Sequence, residues 1–152
     1  DLPYGGLPPE LVRQVLGFMP RPVQVASSSG SNMVLLWHSG ESEPKHFLRN
    51  HDTLVVYAKF FPGGGRLLIA TGGGAVVIWS ASTGKALHTF REHPPDTEIF
   101  EVQIFPDGDR IVSIGDDGTA VVMEASSATV VQRLSQLGLV STCQRRVRVF
   151  PD

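Results

Sequence analysis

Cysteine is almost absent from this chain. Cys143 stands alone, so no internal disulfide can form, which argues against a secreted, disulfide-held domain and for a reducing, intracellular compartment. Long apolar runs are missing too. No stretch approaches the roughly 18–20 residues that a membrane-crossing helix needs, so no membrane association is expected. The start, Asp1-Leu2-Pro3-Tyr4-Gly5-Gly6, has neither the basic nor the apolar region of a signal peptide. Nor is there an excess of charge of one sign. Thirteen Lys and Arg against fifteen Asp and Glu leave a net charge of −2, which offers nucleic acid or an anionic surface no general attraction.

Residues that would build a metal or catalytic centre do not converge. His38, His46, His51, His88 and His93 have no compact ligand spacing, and Cys143 adds none, so neither metal nor cofactor is expected. Gly63-Gly64-Gly65 and Gly72-Gly73-Gly74 each lead into a strand pattern rather than a helix start, so they read as hairpin turns and not as phosphate loops. Arg145, Arg146 and Arg148 form the one dense basic cluster and read as a solvated strand edge.

What the chain does have is rhythm. Phe61-Pro62-Gly63, Phe105-Pro106-Asp107 and Phe150-Pro151-Asp152 are copies of one signal, spaced 44 and 45 residues apart. A fixed period of that length marks a repeat array. The 152 residues are 41% hydrophobic and 18% charged, a composition that folds. Within a period, short apolar runs alternate with turns: strands are expected at 54–61, 66–71, 75–79 and 85–90, and again at 98–105, 110–114, 119–123 and 129–134. The Asp-Gly pairs at 107–108 and 117–118 supply the positive φ that tight hairpins need. Residues 23–26, 32–37 and 46–49 fit the last three strands of an earlier unit, and 143–150 the first strand of a later one. The expectation is an all-β chain of two full four-stranded units and two partial ones over 23–152.

Residues 1–22 read differently. Pro8-Pro9-Glu10 opens a helix with an acid at its positive end. Leu11, Val12, Val15, Leu16 and Met19 make one apolar stripe, and Pro20 and Pro22 stop it. The absence of an initiator Met, and an end inside a repeat, suggest a piece of a longer protein.

These residues resemble the WD-repeat family of β-propellers over about 23–152. His51 and His93 stand where the family has the His of its Gly-His pair, with Asn50 and Glu92 in place of the Gly. Trp37 and Trp79 match the Trp of its Trp-Asp pair, with His38 and Ser80 in place of the Asp. Met123-Glu124 replaces the pair in the third unit. Asp117 matches the family's structural Asp, whereas Ser31 and Gly73 stand at the equivalent places. The resemblance implies that His93, Ser113 and Asp117 form a structural hydrogen-bonded set rather than a hydrolytic triad. No unit holds all four signature residue types. Two full and two partial units fall short of the four to eight blades that usually close a ring.

The resemblance further implies a non-catalytic scaffold that binds other proteins or peptides, with contacts at the loops carrying His51, Asp52, Pro94, Pro95 and Asp96 and at the turns at Gly73 and Asp116. Leu7-Pro8-Pro9-Glu10-Leu11 with Val15-Leu16 resembles the start of an F-box, which implies adaptor docking through Leu7, Pro8, Leu11, Val15 and Leu16. On that alternative the protein is a substrate receptor of a cullin-type ubiquitin ligase. An enzyme built on a propeller is the remaining alternative.

Overall fold

A computed structural model describes residues 24–28, 32–49 and 53–135. The helix expected within 1–22, the residues His51 and Asp52, and the strand expected at 143–150 lie outside the described residues. Everything regular among the described residues is β-structure, as expected. The first sheet holds β1 (Gln24–Ser28), β2 (Val34–His38) and β3 (His46–Leu48). The second holds β4 (Val55–Phe60), β5 (Arg66–Thr71), β6 (Val76–Ser80) and β7 (Ala86–Phe90). The third holds β8 (Ile99–Ile104), β9 (Arg110–Gly115), β10 (Ala120–Glu124) and β11 (Thr129–Leu134). Each is an antiparallel meander in chain order. Strand bounds shift from the expected ones by no more than two residues.

The 44-residue period is written into the hydrogen bonds. Phe61 N donates to Arg66 O at 2.9 Å, and Phe105 N to Arg110 O at 2.8 Å. Gly72 N donates to Leu54 O at 2.9 Å, and Asp116 N to Glu98 O at 3.0 Å. Ala81 N donates to Gly65 O, and Ala125 N to Asp109 O. A register shift at Val55/Tyr57 in the second sheet recurs at Ile99/Glu101 in the third. Gly108 and Gly118 have φ of 73° and 76°, the conformation that their turns require.

Side chains on a strand alternate between two faces, and in the second sheet both faces are apolar. Leu68, Ala70, Val76, Ile78 and Phe90 pack against Ile99, Val102, Ile111, Val121 and Met123 of the third sheet. Leu67, Ile69, Val77 and Trp79 pack the other way, against Val34 and Leu48 of the first. The sheets therefore stack as consecutive blades of a partial β-propeller. On its far face the third sheet carries a smaller cluster of Val112, Ile114 and Ala120, and its outer strand β11 is exposed throughout.

Polar bonds fix how the second and third sheets sit. Lys59 Nζ donates to Val102 O at 2.8 Å and to Gln103 Oε1 at 3.2 Å. Tyr57 O–H donates to Phe100 O. Burial, and then Glu101 and Glu98, raise the Tyr57 pKa, so the proton stays on. Arg66 lies over the Phe61 ring, 4.3 Å from its centre, donates to Gly108 O at 2.7 Å and pairs with Asp109 at 3.6 Å. Arg110 repeats the stacking on Phe105 at 4.8 Å but pairs within its own turn with Asp107. The Asp107 carboxyl is lowered to about 2, first by the Asp109 N–H and then by Arg110.

Three substitutions separate these contributions. Met123 is 0% exposed between two sheets, so Met123→Ala is expected to cost about 2–5 kcal/mol in chemical denaturation. Arg66→Ala is expected to cost about 1–2 kcal/mol, because it strips a carbonyl of its charged donor. Arg110→Ala, whose ion pair is exposed, is expected to cost less than about 1 kcal/mol by the same measurement.

Candidate functional site

One end of the stacked sheets gathers several of the residues that the sequence singles out. It is built from Thr53 at the entry to β4, the β5–β6 turn at 72–75, the β7–β8 connection at 91–98 and the β9–β10 turn at 116–119. Strands end here because Gly and Asp turn the chain back.

His93 is the hub. Its Nε2 lies 2.8 Å from Ser113 Oγ, and its Nδ1 lies 3.3 Å from Asp117 Oδ2 and 3.1 Å from Thr119 Oγ1. Asp117 can only accept when ionised, so Nδ1 carries a proton. In the neutral ring Nε2 then accepts from the Ser113 hydroxyl. Thr119 gives Asp117 two further bonds, from N at 3.1 Å and from Oγ1 at 2.9 Å. Burial pushes the Asp117 carboxyl up, but the Thr119 bonds and His93 outweigh it and hold the carboxyl below its ordinary value. Ser113 is 0% exposed and His93 5%, so the three triad-type residues meet with the hydroxyl sealed between sheets.

The second sheet lacks this set. Ile69, Gly73 and Ala75 stand 44 residues before Ser113, Asp117 and Thr119. It has instead the signature Trp79, packed in the apolar core at 7% exposure, where the third sheet has Met123. In the first sheet, Trp37 Nε1 donates to Ser27 Oγ at 3.1 Å on the neighbouring strand.

Beside His93 opens a cleft of about 250 Å³ lined by Thr53, Gly73, Arg91, His93, Pro95 and Asp96. Its outer wall is a tight turn in which Thr97 N donates to Pro94 O at 3.2 Å. Pro95 occupies the position that favours its fixed φ. Asp96 takes the next position with φ of 66°, where Gly is usual. Of the expected contact residues, Gly73, Pro95 and Asp96 line this cleft. Asp116 does not: its Oδ1 accepts from Glu98 N at 3.1 Å at the head of β8. Asp52 and His51 lie outside the described residues, as do Leu7, Pro8, Leu11, Val15 and Leu16. Among the described residues no group of His, Cys, Asp and Glu could hold a metal ion.

Sequence reasoning missed Thr119, Thr53, Arg91 and Arg66. Two of them had a signal. Thr119 follows Asp117 by two residues, the spacing at which a carboxylate caps its own turn. Arg66 and Arg110 recur 44 residues apart, each five residues after a recurring Phe.

Gly115 has no room for a side chain. A Cβ there would stand 2.5 Å from Thr97 Cγ2, 2.7 Å from Asp117 Oδ1 and 2.9 Å from His93 Nδ1. Gly115→Ala is expected to cost about 1–3 kcal/mol through overpacking, and NMR should show the His93 ring signals moving. The depressed Asp117 pKa adds stability that is complete above the ordinary 3.8 and is lost as pH falls through the lower folded value. Asp117→Asn should therefore lower stability near neutral pH and flatten the acid limb of a denaturation-versus-pH curve.

Comparison with known proteins agrees with this geometry. The family model described as "WD domain, G-beta repeat" matches residues 84–122. The chain is 31% identical over 105 residues to Eukaryotic translation initiation factor 3 subunit I of Scheffersomyces stipitis, covering 64% of this chain and 29% of that protein. It is 29% identical over 125 residues to Nuclear distribution protein PAC1 of Arthroderma benhamiae, covering 76% and 27%. It is 32% identical over 98 residues to WD repeat-containing protein slp1 of Schizosaccharomyces pombe, covering 56% and 20%. The chain thus spans less than a third of the length of these relatives.

Proposed function

The chain carries repeats of the WD family, and on that premise we propose that it is a non-catalytic scaffold whose His93 end binds a protein or peptide partner. One observation carries the reading. A cleft with exposed Arg91, Pro95 and Asp96 at its mouth opens on a frame held rigid by stacked sheets. The backbone at Asp96 is held in a conformation unfavourable to a non-glycine residue, as happens where a surface is shaped for contact. A hydrolytic role has the opposite support. The Ser113 hydroxyl is fully buried and hydrogen-bonded, and a nucleophile must be reached by its substrate. The single cysteine suits a reducing, intracellular setting.

Panning a random peptide library on the immobilised protein tests this. Captured peptides should compete with one another, and Pro95→Ala paired with Asp96→Ala should weaken them about tenfold or more, the loss of one well-placed contact. Peptides that bind the variant as well as the parent would refute the assignment of this face. The ligase reading rests on the sequence of residues 7–20 alone. If it holds, a pull-down with the ligase adaptor recovers the full-length protein and loses it on Leu11→Asp.

A further inference from the structure

We propose that the cleft between the second sheet and the β7–β8 connection takes the carboxylate of an aspartate or glutamate side chain carried by the partner. This deepens the binding role proposed above and rests on it.

Gly73 and Asp117 are equivalent, 44 residues apart, in turns with the same bonds: Gly74 N donates to Thr71 O at 3.2 Å, and Gly118 N to Gly115 O at 3.2 Å. In the third sheet the Asp117 carboxylate accepts from Thr119 and His93. In the second sheet Gly73 supplies no carboxylate, the Thr53 side chain stands 3.0 Å from where a Gly73 Cβ would be, and the cleft opens beside both residues.

A donor has been left behind. Thr53 Oγ1 is buried and makes no hydrogen bond among the described residues. It lies 3.1 Å from where a Cβ on Gly73 would stand, within reach of a carboxylate filling the cleft. A buried hydroxyl without a partner costs about 1–3 kcal/mol, so an incoming acceptor recovers free energy there. Arg91 lines the same cleft and brings positive charge to an acid. His93 is a wall and not a ligand, because Ser113, Asp117 and Thr119 occupy both its ring nitrogens.

The outer wall belongs to this cleft alone among the described residues. Three residues separate His93 from Thr97, whereas one separates His51 from Thr53. The extra two build the Pro94–Thr97 turn that closes the cleft's far side. Asp96 on that turn opposes a dianion at the mouth and can accept a backbone N–H of the peptide that carries the acid.

The test uses N-acetyl-aspartyl amide as probe, titrated into ¹⁵N-labelled protein by NMR. The Thr53, Gly73 and Arg91 amide signals should shift and saturate. N-acetyl-asparaginyl amide should bind about tenfold more weakly, the difference a charged hydrogen bond makes. Thr53→Val should weaken the acid about tenfold while leaving the unfolding midpoint unchanged or higher, since an unpartnered hydroxyl is replaced by a methyl of the same shape. Gly73→Asp supplies the carboxylate from the chain itself, after a shift of a few tenths of an ångström in Thr53, and should abolish probe binding. Equal binding of acid and amide, unchanged binding in either variant, or tighter binding of O-phosphoseryl amide would each overturn the proposal. Panned peptides that depend on Pro95 and Asp96 but carry no acid would leave the interaction face standing and sink the carboxylate alone.

Discussion

A sheet that is apolar on both faces cannot stand alone, and this constraint organises the molecule. Leu67, Ile69, Val77 and Trp79 point one way from the second sheet, and Leu68, Ala70, Val76 and Ile78 the other. Each Leu, Ile or Val among them contributes about 1.5–3 kcal/mol when taken fully from water. Either face left bare would forfeit several of these at once, so the second sheet needs a neighbour on each side. The first and third sheets supply them, and the third carries the same demand outward through Val112, Ile114 and Ala120.

Apolar burial is non-directional, and polar bonds add direction to the relative pose of the sheets. Arg66 shows how. Stacking on Phe61 aims its guanidinium across the gap to Gly108 O and Asp109. Lys59 and Tyr57 do the same between the inner strands. The sequence unit adds a covalent tie. The family match at 84–122 begins just before β7 in the second sheet and ends in β10 in the third, so one sequence repeat straddles two blades.

Much of this was legible. Recurrence of Phe61 and Phe105, and turn glycines at like offsets, predicted the strand order and the bounds to within two residues. The His93, Ser113 and Asp117 contact followed from the family resemblance. Thr53 and Arg91 were not legible as site residues, because nothing local marks them. Thr53 matters through what is missing at Gly73, on a different hairpin. Asp116 has a local role that its position in the turn did not show. Its turn sits at the expected end of the sheet, but its carboxylate is spent on Glu98 N, so it does not line the cleft.

By itself the sequence determined the period, the all-β class, and the alternation that makes each sheet two-faced. These are properties of neighbours along the chain: strand periodicity and turn chemistry act over a few residues. Only the tertiary structure decided that His93 is sealed against Ser113 while the space beside it stays open. It alone set which Arg crosses between sheets, and which hydroxyl is buried without a partner. Those outcomes depend on distances between residues some 20 to 44 positions apart, and only packing of one sheet on the next brings such residues within hydrogen-bond reach.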